Sequence, residues 1–150
     1  MKIQVGTICG SNIFKPGLQC EAPAEIDGGK PEYKGLLGST SFEVEYINHD
    51  GTTEKFGRFT LAPLPGCCGV VVSIDSYICP YKRGQYYPSR WFHELKAKVA
   101  KHFGYSMMLM TTQLRNIPEV VGSTRSGWKI VKTFKNTRTT NELGIGLKEI

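Results

Sequence analysis

The stretch Ile78-Cys79-Pro80-Tyr81-Lys82-Arg83-Gly84-Gln85 joins two cationic side chains and a glycine just ahead of an amphipathic segment, the ingredients of a turn that grips phosphate. Backbone N–H groups at a helix start have no partners within the helix and sit at the positive end of its dipole, so they hold an anion without help from side chains. The charge balance suits such a ligand: 19 Lys and Arg against 13 Asp and Glu give a net charge of +6, with the cations concentrated after Lys82. The same surplus fits a solvated surface. Lys82, Arg83, Arg90 and Trp91 also mix cationic and aromatic surfaces in a way that suits nucleic acid, although they form no recognised nucleic-acid motif.

Other reactive side chains point to less. Cys9, Cys20, Cys67, Cys68 and Cys79 are odd in number, include an adjacent pair and form no CxxC, so they read as reduced thiols, with no metal site expected. Cys79 reads as a packed thiol rather than a nucleophile. His49, His93 and His102 fit no triad or metal spacing, and the last two are expected on the wet surface of a helix. No apolar run approaches the roughly 20 residues that span a bilayer, and residues 1–5 lack the apolar stretch of a signal peptide. A cytoplasmic protein without membrane contact is the expectation, as a monomer or a homodimer.

These groups need a scaffold, and 150 residues without a composition break imply one domain. Residues 10–40, rich in Gly, Pro and Ser, read as loop with at most a short helix. Phe42, Val44 and Tyr46 then alternate with Glu43, Glu45 and Ile47, and Asp50-Gly51 turns the chain into a second strand over Phe56 to Leu61. Gly69 to Ile78 supplies a third strand, apolar at Val70, Val71, Val72 and Ile74, with Ser73, Asp75 and Tyr77 as a polar stripe that suggests the floor of a pocket. A helix opens at Pro88-Ser89, places Phe92, Leu95, Val99 and Phe103 on one face and Lys96, Lys98 and Lys101 on the wet side, and ends at Gly104. Tyr105 to Thr111, with Met107, Met108 and Met110 in the core, reads as a buried strand. Ile117 to Arg125 is a helix with Pro118 in its first turn, and Trp128 to Phe134 and Leu143 to Leu147 are two final strands. Strands, helix, strand, helix and two strands make an α/β fold, a mixed sheet with helices packed on it.

Two linked blocks resemble the GCN5-related N-acetyltransferases, which move an acetyl group from acetyl-CoA to an amine. Ile78-x-Pro80-x-x-Arg83-Gly84-Gln85 is similar to the strand end and pyrophosphate loop of that family, and Asn116 followed eleven residues later by Gly127-Trp128 is similar to its Asn...Gly-Phe spacing. The resemblance covers residues 41–150, and the closing segment Gly127-Trp128-Lys129 to Thr139 looks most like short phage-encoded members. It implies a mostly antiparallel central sheet flanked by helices, with a splayed strand pair. Tyr77 and Ile78 would then pair with the pantetheine arm of acetyl-CoA, with Cys79 beside the gap. Arg83, Gly84, Gln85, Ser89 and Asn116 would complete the cofactor site, Ser89 standing where an insertion in the loop puts a small residue. Asp75 would be the base that takes a proton from the acceptor amine.

The loop departs from the family pattern at Tyr86 and Pro88, which replace small residues. The position seven after Asn116, where the family carries a tyrosine that protonates the CoA thiolate, is Ser123. A serine hydroxyl is a far weaker acid than a phenol. Either Ser123 acts through water, or Tyr77 or Tyr86 substitutes, or the reaction is not performed. In the last case the chain would be an inactive protein of the same fold that binds a host protein or nucleic acid.

Overall fold

Alternation at period two and at the helical period divides the chain into strands and helices. The computed structural model describes residues 2–9, 13–21, 36, 38–47, 50–79 and 88–150. Within them the elements run β1 (Lys2–Cys9), β2 (Ile13–Glu21), β3 (Thr40–Ile47), β4 (Thr53–Pro63), β5 (Val70–Ile78), α1 (Pro88–His102), β6 (Met107–Gln113), α2 (Ile117–Arg125), β7 (Lys129–Lys135) and β8 (Glu142–Glu149). The strands form one sheet in the order β2-β1-β3-β4-β5-β6-β8-β7. Neighbours are antiparallel except β5 and β6, which run parallel and are joined by a crossover through α1. This is the mixed, mostly antiparallel α/β sheet that the sequence implies. Among the described residues no helix is long and apolar enough to cross a membrane.

One face of the sheet carries the core. Phe42 and Phe59, cross-strand partners on β3 and β4, stack with ring centroids 5.1 Å apart, and Phe92 of α1 meets Phe59 edge-on at 5.7 Å. Leu61, Val71, Leu95, Val99 and Met108 are fully buried around them, each contributing roughly 1.5–3 kcal/mol by leaving water. A bulge in β4 adds to this face: pairing moves from Val44 with Gly57 to Glu45 with Lys55, so Phe56 falls between two cross-strand pairs and turns inward against Phe92. The β3–β4 turn forms at Asp50-Gly51 as expected. Gly51 adopts φ 84° and the Asp50 carboxylate accepts the Thr52 N–H at 2.9 Å.

Three expectations are corrected. Residues 13–21 form a strand, not a loop: β2 pairs with β1 alone, at the sheet edge, the place in a sheet that tolerates a proline such as Pro16. Lys96 does not take the wet side of α1 and His93 does not lie on the helix surface, because α1 is covered by the sheet and by α2 together and both side chains are almost wholly buried. The polar stripe of β5 does not share one face, because a bulge at Ile74 breaks the alternation. His49 lies outside the described residues.

A Cβ at Gly57 would stand 2.1 Å from the Tyr77 carbonyl oxygen and 3.2 Å from Ile78 Cα, both backbone atoms that cannot swing aside. Gly57→Ala is expected to cost about 1–3 kcal/mol or more, read as a lower thermal midpoint. Gly38→Ala, where a Cβ meets nothing within 4 Å, should stay within about 0.5 kcal/mol of the parent.

Candidate active site

β5 and β6 start side by side and then part. Val70, Val71, Val72 and Ser73 pair with Met107, Met108, Leu109 and Met110. Beyond that point β5 follows β4 as far as Ile78 while β6 follows β8 as far as Gln113. The wedge between them opens at the carboxyl ends of two parallel strands, the end from which the chain leaves for α1 and the usual place for a ligand in a sheet with crossover connections.

The β5 bulge sorts the polar residues beside this wedge. Thr60 pairs with Asp75 but Leu61 pairs with Ser73, so Ile74 falls between the two pairs. Cross-strand partners share a face. Ser73 and Ser76 therefore join Leu61 and Phe59 on the helix-covered side, whereas Asp75 and Tyr77 join Thr60 and Arg58 on the other. Asp75 is exposed. Tyr77 is 43% exposed, with the Arg58 guanidinium 5.9 Å from its ring centroid.

Lys96 reaches the wedge from α1. It lies four residues after Phe92 and three before Val99, on the apolar stripe, and only 1% of it is exposed. Its Nζ stands 2.7 Å from Ser76 Oγ and 3.2 Å from Ser73 Oγ. Burial pulls the ammonium down to about 8, with Lys148 pushing the same way and the carboxylates of Glu119 and Asp75 resisting. One turn earlier, His93 Nε2 lies 2.5 Å from Glu119 Oε1 of α2. Burial, with the Lys96 charge, lowers the His93 value despite Glu119, so the ring is neutral near pH 7 and Nε2–H donates to the carboxylate. Nδ1 is then a buried acceptor without a donor among the described residues, and the buried Trp128 beside it, 5.8 Å between centroids, leaves its own Nε1–H likewise unmatched. Lys148 closes the cluster from β8 by donating to the Ser126 carbonyl.

The other expected residues spread around this cluster. Ile78 packs half-buried against the core, and the Cys79 N–H donates to the Phe56 carbonyl at 2.8 Å. Ser89 belongs to the first turn of α1. Arg83, Gly84 and Gln85, with Lys82 and Tyr86, lie outside the described residues. Asn116 caps α2 through its backbone carbonyl, which accepts the Val120 N–H at 3.0 Å, and its side chain makes no capping bond. Ser123 is fully buried and donates to the Val120 carbonyl at 3.0 Å.

The Asn116 to Gly127-Trp128 spacing has a mechanical origin. Trp128 N–H bonds to the Ser123 carbonyl at 3.1 Å and Gly127 N–H to the Thr124 carbonyl at 3.1 Å, with Gly127 at φ 95°. This is a Schellman end, in which a left-handed residue, most readily glycine, stops the helix and swings the next side chain inward. Asn116 and Gly127 mark the two ends of α2, and the tryptophan is what its exit buries.

Ser76, Lys96, His93 and Glu119 are absent from the sequence reading as site residues. The spacing of Lys96 from Phe92 and Val99 carried the signal, as did Ala97 and Ala100, buried four and seven residues after His93. A broad buried arc leaves no room for a wet side on that turn.

Among solved structures the chain is similar to an IAA acetyltransferase from Bacillus cereus, with TM-score 0.62 and 9% identity over 75% of this chain and 78% of that one. It is also similar to the spermidine N-acetyltransferase from Vibrio cholerae in complex with CoA and spermine, with TM-score 0.61 and 13% identity over 75% and 66%. The NatC complex bound to Gag peptide and CoA gives TM-score 0.59 and 11% identity over 73% and 70%. At such identities the likeness is one of fold, and the fold is that of the GCN5-related N-acetyltransferases. No family model matches the chain, and no curated protein does.

Because the folded state holds the Lys96 proton less tightly than the unfolded chain, the unfolded chain binds more protons between about pH 8 and the ordinary 10.5. Stability contributed by this group therefore rises with pH across that window and is at its lowest below it, with a slope of at most about 1.4 kcal/mol per pH unit. Denaturant melts from pH 7 to 10 should show this rise in the parent relative to Lys96→Met, in which it disappears.

Proposed function

We propose that the chain transfers an acyl group from acetyl-CoA to an amine. The observation that carries this reading is the wedge between β5 and β6, whose strands stop pairing after Ser73 and Met110 although both continue. An extended acyl-CoA arm fits such a wedge as an added strand would. The first turn of α1 contains no acidic residue, which leaves the positive end of its dipole available to a pyrophosphate. Arg83, Gly84, Gln85 and Ser89 would meet that group on the approach to α1. The solved spermidine N-acetyltransferase of similar fold holds CoA and spermine, in keeping with a donor and an amine acceptor in one site.

Attack by an amine on the thioester requires that a base first remove the ammonium proton. Asp75 is the carboxylate on β5 just beyond the last residue paired with β6, exposed on the face opposite the helices. It takes that proton directly or through a water. A second reading, a binding module of the same fold without transferase activity, draws on the complete burial of Ser123 and the bond from its hydroxyl to the Val120 carbonyl.

Isothermal titration should register acetyl-CoA binding with a dissociation constant between about 1 μM and 1 mM, the usual range for substrates. Silence at about 1 mM would reject acetyl-CoA as the donor. Asp75→Asn is expected to lower kcat by about 10²–10⁴ with an unchanged thermal midpoint, and a parental kcat would remove Asp75 from the role.

A further inference from the structure

Buried lysines ordinarily pair with carboxylates. Among the described residues the hydrogen-bond partners of Lys96 are two serine hydroxyls instead. One of them, Ser76, is exposed beside the wedge, while Ser73 and the lysine itself are buried. An accessible hydroxyl within hydrogen-bond reach of a base, with that base steadied by a third group, is the arrangement that activates a serine nucleophile, and lysine serves as such a base in known variants.

We propose that Ser76 and Lys96 form a nucleophile and base pair, positioned by Ser73, that accepts the acyl group of an activated ester or thioester on Ser76 Oγ. The neutral Lys96 amine takes the hydroxyl proton as Oγ bonds to the acyl carbon. Collapse of the tetrahedral adduct breaks the bond from carbon to sulfur or oxygen, and the Lys96 ammonium returns the proton to the leaving group. An amine already relieved of its ammonium proton by Asp75, or a water with Lys96 as base, then attacks the acyl-serine ester, and the departing Ser76 alkoxide recovers its proton. The chemistry needs the lysine uncharged, and burial, which brings it to about 8, supplies a substantial neutral fraction in mildly alkaline solution. The charges acting on it are Glu119 on α2, Asp75 from the far face of β5 and Lys148 on β8, with the neutral His93 on its own helix. The inference rests on the transferase reading only for the identity of the donor.

The full chain is treated at pH about 8 with p-nitrophenyl acetate and, separately, with acetyl-CoA, and acylated peptides are mapped by mass spectrometry before and after alkaline hydroxylamine. One acetyl group on Ser76, released by hydroxylamine, is the expected result. Its rate of formation should climb with pH through about 8. Ser76→Ala should remove the label while keeping the parental melt. Lys96→Met should slow labelling by about a hundredfold or more, and so should Lys96→Arg, which keeps a positive charge but cannot give up its proton. A hydroxylamine-resistant acetyl on Lys96, or no label on Ser76 from either donor, overturns the pair. Labelling by the ester with no binding of acetyl-CoA keeps the pair and rejects the CoA donor. Acetyl-CoA binding with undiminished amine acetylation by Ser76→Ala rejects the pair and keeps the transferase.

Discussion

The divergence of β5 from β6 is the constraint around which the other features arrange themselves. Four residue pairs hold the strands together, and beyond them each follows a different neighbour. Parallel strands need a crossover, and here that crossover is α1, so the helix is obliged to lie over the seam that opens. Its side chains therefore pack on the sheet face beside the wedge. Phe92 meets Phe56 and Phe59 of β4, and Lys96 reaches Ser73 and Ser76 of β5. The bulge at Ile74 completes the arrangement by rotating Ser76 onto the helix side and Asp75 onto the other.

Much of this was legible from residue order. α2 runs from Ile117 to Arg125 as Pro118 and Gly127 require, one setting the first turn and the other ending the helix at positive φ. The β3–β4 hairpin follows from Asp50-Gly51 and the flanking alternation. β2 was not legible, because Pro16 and Gly17 mimic a loop and only the position of the strand at the sheet edge makes them tolerable.

The site was less legible than the fold, and for a physical reason. Ser73, Asp75 and Tyr77 sit at period two, which places them on one face only if no bulge intervenes, and bulges leave little trace in a single sequence. Lys96 and His93 carry polar labels on a helix that the sheet and α2 enclose from two sides, and hydropathy patterning takes every lysine to be wet. Burial of an amine by hydroxyls and distant carboxylates depends on three elements meeting, and no local window contains them. The family-like Asn116 to Gly127-Trp128 interval proved to be a helix length with its two ends, which explains why it reports the fold so well and the chemistry so little.

Because the hydrogen-bond partners of Lys96 among the described residues are hydroxyls rather than a carboxylate, loss of a single proton strips the wedge wall of the positive charge at Lys96. A negatively charged donor is attracted to the first form, whereas a neutral amine able to accept a proton exists only in the second. On the proposed chemistry, capture and reaction thus draw the protein toward opposite ends of the same titration, and throughput peaks where the two populations overlap.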